Sequence, residues 1–370
     1  MDGVPRPESR LVSPPTEGKL QFSWAALDPD AETEGAAVED GFEYPGYLLF
    51  NEIVHVQEIG FDGPQTIGEE LSTFGDGTPT NPSKGFRQLD LSEEVDVRVF
   101  ETESFAPVVE DMQSFEYIAE DYGTQMEFVT GEGDRQQGRP RSLDRAHIHW
   151  HWPDYFFVQG SQSVAEAAAE EIVSELDLDS ADVQRFTFDN DFFLWMYKKN
   201  HDGDPLSESL DLLKWTDAEA TGDLPYLGSS TEVQESEDVG RSIPILVAVL
   251  RNMDLASLEG IFEVGSYAMT ASIGSQGKVH VKSEQTVQKA SNIARVFLSN
   301  LFLHELTNLY ENWKTLDPEE KYPHPSFFSS LWDNASEQGA NLDMDFDRVV
   351  EEYAAKRGES AEDYDFDFGN

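Results

Sequence analysis

The sequence predicts an α+β protein, with a β-rich N-terminal region and a mixed C-terminal region built around one long helix. Three observations carry that expectation. Residues 20–130 hold short alternating or β-branched runs separated by Gly, Pro and Asp. A central stretch, Asp134 to Leu176, passes from an arginine-bearing loop through two strands into an alanine-rich helix. Residues 284–314 repeat apolar side chains at helical spacing.

Taken in order, residues 1–19 are rich in proline and polar side chains, lack an apolar signal core, and read as a flexible leader. Leu20–Leu27 and Tyr47–Ile59 read as strands, the second as a strand or strand pair. Residues 60–85, full of Gly, Pro, Thr and Asp, read as a long loop. Leu89–Phe100 places Val95, Val97 and Val99 on one strand face. Phe105–Tyr122 reads as a helix or irregular segment, and Gln125–Thr130 as a short strand. Gly131–Arg145 is then a loop, Ala146–Trp152 a strictly alternating strand ended by Pro153, and Tyr155–Val158 a compact apolar strand. Ser163 and Glu166 have capping-box spacing at the start of a helix, with Ile172, Val173 and Leu176 in its stripe.

Further on, Phe186 and Phe188 suggest a strand and Asp191–Asn200 a buried helix. Leu210–Trp215 is a short apolar run, and Thr221–Gly240 reads as a polar linker. Ile243–Leu250 is apolar all round and belongs in a core. Glu259–Thr270 and Lys278–Lys282, split by a Gly-Ser-Gln-Gly turn, suggest a hairpin or meander. Ser283 is the expected cap of the long helix, and Asp317-Pro318 its stop. From 342 the chain is an acidic tail with a short helix near Arg348–Ala355. Its last residues alternate acids and aromatics, a pattern suited to docking on a protein partner. The expected divisions are therefore 1–19, 20–130, 131–341 and 342–370.

The chain has 370 residues, with 73 acidic against 25 basic side chains, a formal net charge of -48. Hydrophobic residues still make up 39% of it, enough to build a core rather than a disordered acidic chain. Repulsion on that scale is tolerable where molar salt cuts the Debye length to about 3 Å, so the composition points to the cytoplasm of a salt-accumulating halophile. The absence of cysteine excludes disulfides, thiolate metal sites and a cysteine nucleophile. No apolar run of membrane-spanning length occurs.

Against the acidic background the central stretch stands out. Arg135, Arg139, Arg141 and Arg145 lead into His147, Trp150 and Trp152. Guanidinium groups bind phosphates bidentately and indoles stack on bases, so the cluster has the composition of a nucleic-acid contact surface, with Lys198 and Lys199 as a second basic spot. Its competing reading is a set of arginines paired with nearby carboxylates. Strand period 2 puts His147, His149 and His151 on one face. Together they are a candidate site for a divalent metal, completed by Asp144, Asp154, His55 or His304. Same-face residues on one strand lie about 7 Å apart, so two ligands from the strand come easily and three with difficulty. The competing reading is a half-exposed strand of hydrogen-bonded imidazoles. The Asp189–Asp191 and His201–Asp204 acidic turns are weaker cation candidates, and no phosphate-binding loop or dinucleotide fingerprint is present.

From Trp152 the order of an apolar strand, then Ser161, Ala165 and Glu166, then Leu176, resembles the middle of the RdgC-type recombination-associated proteins. Asp191–Asn200 is similar to a further segment of that family. The resemblance implies a non-enzymatic DNA-binding protein. Three readings stay open: a nucleic-acid-associated protein of genome maintenance, defence or a mobile element; a metal-dependent hydrolase using the His147/His149/His151 strand; and a structural or adaptor protein.

Overall fold

The computed structural model describes residues 47–57, 64–89, 112–129, 131, 133–179, 181–224, 228–234, 239–265, 267–283, 292–339 and 346–364. The expected leader, the strand Leu20–Leu27, residues 90–100 and the last residues 365–370 lie outside them. The architecture is α+β: a large antiparallel sheet with helices on its faces and a helix-rich C-terminal region.

The sheet opens with β1 (Leu48–Val56), followed by helix α1 (Pro64–Glu70) and strand β2 (Lys84–Leu89). Then come β3 (Met112–Tyr122), β4 (Met126–Val129), β5 (Arg135–Gly138), β6 (Arg141–His151) and β7 (Tyr155–Gln159). Helix α2 (Gln162–Glu175), strand β8 (Val183–Arg185) and helix α3 (Asn190–Asp202) follow. The second half adds β9 (Leu210–Leu224), β10 (Gly228–Val233), α4 (Ile243–Leu250), β11 (Asp254–Val264), β12 (Tyr267–Gly274) and β13 (Val279–Ser283). The helical end is α5 (Asn292–Thr315), α6 (Pro318–Lys321), α7 (Pro325–Glu337) and α8 (Asp347–Arg357).

The strand order is β10-β9-β11-β12-β13-β1-β7-β6-β3-β2, with β8 also on β1 and with β4 and β5 forming a separate two-stranded sheet. Strands from before and after residue 131 thus share one sheet. Its middle is covered on both sides. On one face Val54, Phe115, Ile148, Trp150, Phe156 and Val158 meet Ala165, Ala168, Ala169 and Ile172 of α2. Alanine is the residue that lets this helix approach the sheet closely while costing no side-chain entropy. On the other face Phe50, Ile53, Tyr155 and Phe157 join the core that includes Val296, Phe302, Leu306 and Trp313 of α5. The β7 residues alternate strictly between the two cores, as period 2 requires.

Several expectations change. Phe105–Tyr122 is not helical where it is described: residues 112–122 form β3, and burial on both faces hides their alternation. The loop expected at Gly131–Arg145 contains β5 and the start of β6, because Arg141 to Arg145 pair with Tyr122 to Ile118 of β3. The expected loop 60–85 holds α1. The polar linker expected at Thr221–Gly240 holds the end of β9 and all of β10, whose Ser and Thr residues suit an outer strand without an apolar pattern. Ser163 does not cap α2; Ser161 is the N-cap and makes no side-chain cap bond, and Gln162 donates to Glu166 at 3.0 Å instead. Ser283 ends β13, residues 284–291 lie outside the described residues, and the long helix is described from Asn292 to Thr315. Within the expected tail, α8 buries Val349, Val350, Tyr353 and Ala354 against the body. Among the described residues no helix is long and apolar enough to cross a membrane.

The turn between β12 and β13 supplies a clean test of the meander. Gly277 has φ +79° and a Cβ there would stand 2.0 Å from the Phe186 carbonyl oxygen. Gly277→Ala is expected to cost at least about 1–2 kcal/mol from backbone conformation alone, and more from that clash. Gly75→Ala, with nothing within 4 Å of its Cβ, is expected to stay within about 0.5 kcal/mol. Denaturant unfolding of both variants in the same salt checks the contrast.

Candidate functional site

Strand β6 carries the histidines, and its neighbours decide what they can do. It lies between β3 and β7, with Ser114, His149 and Phe157 in one cross-strand row and Met112, His151 and Tyr155 in the next. The three imidazoles occupy one face and Ile148 and Trp150 the other, as the alternation implies. That face is not half-exposed: His147, His149 and His151 are 5%, 0% and 6% exposed. Helix α5 lies over it. His304 stacks on His151 with ring centroids 5.4 Å apart, and Asn300 Oδ1 faces His151 Nε2 at 3.4 Å while its Nδ2 donates to the Val296 carbonyl.

The result is a buried polar seam between sheet and helix. His149 Nδ1 meets Ser114 Oγ at 3.0 Å. His149 Nε2, the amide of Gln159 and Ser299 Oγ are buried with no hydrogen-bond partner among the described residues. Burial, which penalises the charged form, pushes His147 down to about 4 and His149 and His151 down to about 3. Neighbouring imidazoles add to this for His149 and His151; for His147 the Glu116 carboxylate pulls the other way. Gln159 opposes the shift of His149 through its amide, although no hydrogen bond of normal geometry joins the two. His304 is lowered for the same reason of burial.

Neutral imidazoles are the form that binds metals, but the seam does not gather a ligand set. Among the described residues no group of three or more His, Asp or Glu side chains is placed to hold an ion. Ser114, Phe157, Met112 and Tyr155 flank His149 and His151, and the carboxylate opposite His147, Glu116, is paired with Arg145 and Arg87. His55 stacks on Tyr155 with centroids 4.7 Å apart, one strand removed from His151.

The arginines are dispersed. Arg145 pairs with Glu116, which also holds Arg87 at 2.8 Å. Arg141 bridges Asp76, at 2.8 Å, and Glu120. Burial raises the Glu120 carboxyl, but the backbone N–H groups of Ser83 and Gly77 and the Arg141 guanidinium outweigh it and hold the group below its ordinary range. Arg135 pairs with Glu127 at 3.0 Å on an open surface, and Arg139 is exposed. Trp150 is fully buried and donates to the Pro153 carbonyl at 3.3 Å; Trp152 is half-buried beside it. Lys198 and Lys199 lie on α3, which packs against β11 and β9 far from β6 in the strand order, and they pair with Asp202 and Asp204. The expected phosphate-binding surface is therefore not one continuous face: two of its arginines are clasped at the sheet and one indole is inside.

What the central stretch does expose is an arm. Beyond the last β3–β6 pair, Tyr122↔Arg141, the chain continues as β4 and β5, paired from Met126↔Gly138 to Val129↔Arg135. The Gly138 backbone lies under the Phe128 ring, where a Cβ would come within 2.7 Å of it. Met126 and Val129 are 50% and 62% exposed. The signal for this hairpin was present in the Gly-rich turn between Met126–Val129 and Arg135–Gly138, but no apolar face marked the second strand.

Comparison with known proteins yields no matching family model and no matching curated protein.

The seam makes acid sensitivity testable. The unfolded chain binds protons on these histidines near their ordinary value of 6.5, and the folded chain does so only near 3–4. Stability is therefore complete above about pH 6.5 and falls as pH drops towards the folded-state values, by about 1.4 kcal/mol per pH unit for each histidine. His149→Leu is expected to reduce the slope of unfolding free energy between pH 6 and 4 by about that amount. An unchanged slope would contradict the buried neutral imidazole.

Proposed function

We infer that the protein is a non-catalytic binding protein of a salt-loaded cytoplasm that engages a partner protein through the arm, residues 123–140. The carrying observation is the exposure of Met126 and Val129 on a strand whose outer edge has no strand partner among the described residues. An open strand edge presents unpaired backbone donors and acceptors, and an extended partner segment satisfies them by strand addition while its side chains cover the apolar positions. Met126 and Val129, three residues apart, stand on opposite faces of the strand, and Arg135, Glu127, Gln136 and Gln137 add exposed polar groups.

The alternatives find less support. A metal-dependent hydrolase needs the His147/His149/His151 face open to substrate, and α5 and its neighbours cover it. Nucleic-acid contact retains Arg135, Arg139 and the half-buried Trp152, with Arg141 and Arg145 paired to carboxylates and Trp150 buried. Docking through the extreme C-terminal residues 365–370 concerns positions outside the described residues.

Because Tyr122 and Arg141 face each other, replacing residues 123–140 by Asn-Gly closes the β3–β6 hairpin with a two-residue turn. The shortened chain is expected to keep its circular dichroism and unfolding transition. It should lose, relative to the full chain, the proteins recovered with it by cross-linking in its own cells at native salt. Identical recovery from both chains would remove the arm as the contact element. Retention of mixed-sequence DNA or RNA by the full chain alone would replace the protein partner with nucleic acid.

A further inference from the structure

Both ends of the large sheet and both strands of the arm are places for strand addition, and they differ in what they offer. At β2 the outer edge is in use: Phe74 N–H donates to the Phe86 carbonyl at 3.0 Å and Phe86 N–H to the Ser72 carbonyl at 2.8 Å. At β10 the edge strand is polar, GSSTEV, and its one charged side chain, Glu232, is exposed. In the arm, β5 reads RQQG and β4 reads MEFV, so the apolar edge is that of β4. No strand lies on its outer side among the described residues. Together the two strands carry one carboxylate, Glu127, and one guanidinium, Arg135, which pair at 3.0 Å. Their charges cancel, in a chain of net charge -48. Two copies of so acidic a chain repel over most of their surfaces, and least where the local charge is zero.

The sequence of β4 also suits pairing with itself. Identical strand edges that meet about a two-fold axis run antiparallel, and opposed residues must share a face. Met126 and Phe128 lie on one face, Glu127 and Val129 on the other. The two registers that overlap most of β4 centre on Glu127 or on Phe128. The first sets two carboxylates opposite each other, which is destabilising. The second joins the two Phe128 rings and sets Val129 of each copy against Glu127 of the other. Arg135, opposite Val129 in its own chain, then stands in line with the second copy's Glu127. We propose that the arm pairs with the arm of a second copy of this chain, β4 against β4, about a two-fold axis at Phe128. This rests on the arm being the contact element and names its partner. Four-residue strands make a small contact, so the dimer is reversible and concentration-dependent.

Sedimentation equilibrium of the full chain at native salt, from micromolar to millimolar protein, is expected to show monomer and dimer in exchange. The chain with residues 123–140 replaced by Asn-Gly is expected to stay monomeric and keep its unfolding transition. Phe128→Glu, which sets two carboxylates at the axis, is expected to weaken the dimer at least about tenfold. The chain has no cysteine, so a single introduced thiol reports the register. Val129 of the two copies would be diagonal neighbours about 7–8 Å apart, whereas Gln136 would stand three strand spacings from its copy, about 14 Å. A short bismaleimide is therefore expected to link Val129→Cys between copies and to leave Gln136→Cys unlinked. A full chain that stays monomeric overturns the second copy as partner, and leaves the arm itself to the recovery experiment above. A dimer that survives the Asn-Gly replacement, an indifferent Phe128→Glu variant, or equal linking of the two thiols would each overturn the proposal as well.

Discussion

The constraint on which the rest of the molecule depends is the burial of the Ala146–His151 half of β6 on both faces. An interior strand in a large antiparallel sheet has no solvent side, so each of its side chains must be apolar, neutral or paired. Ile148 and Trp150 meet the first condition against the alanine face of α2. His147, His149 and His151 meet the second, held neutral by removal from water. Arg141 and Arg145, at the end of the strand where burial fades, meet the third through Glu120 and Glu116 on β3. A polar row packed under a helix is a less forgiving interface than an apolar one, because every unsatisfied donor or acceptor costs stability. It also fixes α5 in register, since His304 and Asn300 must meet His151.

This arrangement explains why composition misdirects at the central stretch. Arginines and tryptophans in an acidic chain read as an outward surface. In this chain Arg141 and Arg145 pair with carboxylates across β3 and β6 and Trp150 is buried, while Arg135 and Arg139 stay exposed. Cross-strand acids on β3 are the partners: Glu116 lies 29 residues from Arg145 and Glu120 lies 21 from Arg141. Nothing local to Arg141 or Arg145 announces them. The strand spacing of the histidines was legible, because period 2 is a local rule; their burial was not, because it is imposed by α5 from 150 residues further along.

The same division runs through the fold. Elements whose signal is local were readable: the apolar Tyr155–Val158 strand, the alanine-rich helix after it, the aromatic helix beginning at Asp191, and the stripe of Val296 to Trp313. Elements defined by their neighbours were not. Strand β3 is buried on both sides and so shows no alternation, whereas β10 has a polar sequence and is a strand because β9 pairs with it. Helix α7 went unassigned although Pro325 and the spacing of Phe327, Phe328, Leu331 and Ala335 mark it.

From Ala146 to His151 strand β6 is interior, while the β4–β5 hairpin that precedes it is exterior. Amide hydrogen exchange followed by mass spectrometry at native salt measures both in one experiment. Peptides covering 143–151 are expected to exchange only with global unfolding, and those covering 124–138 orders of magnitude faster. Comparable exchange in the two segments would contradict the buried strand and, with it, the reading of the arm as the outward element.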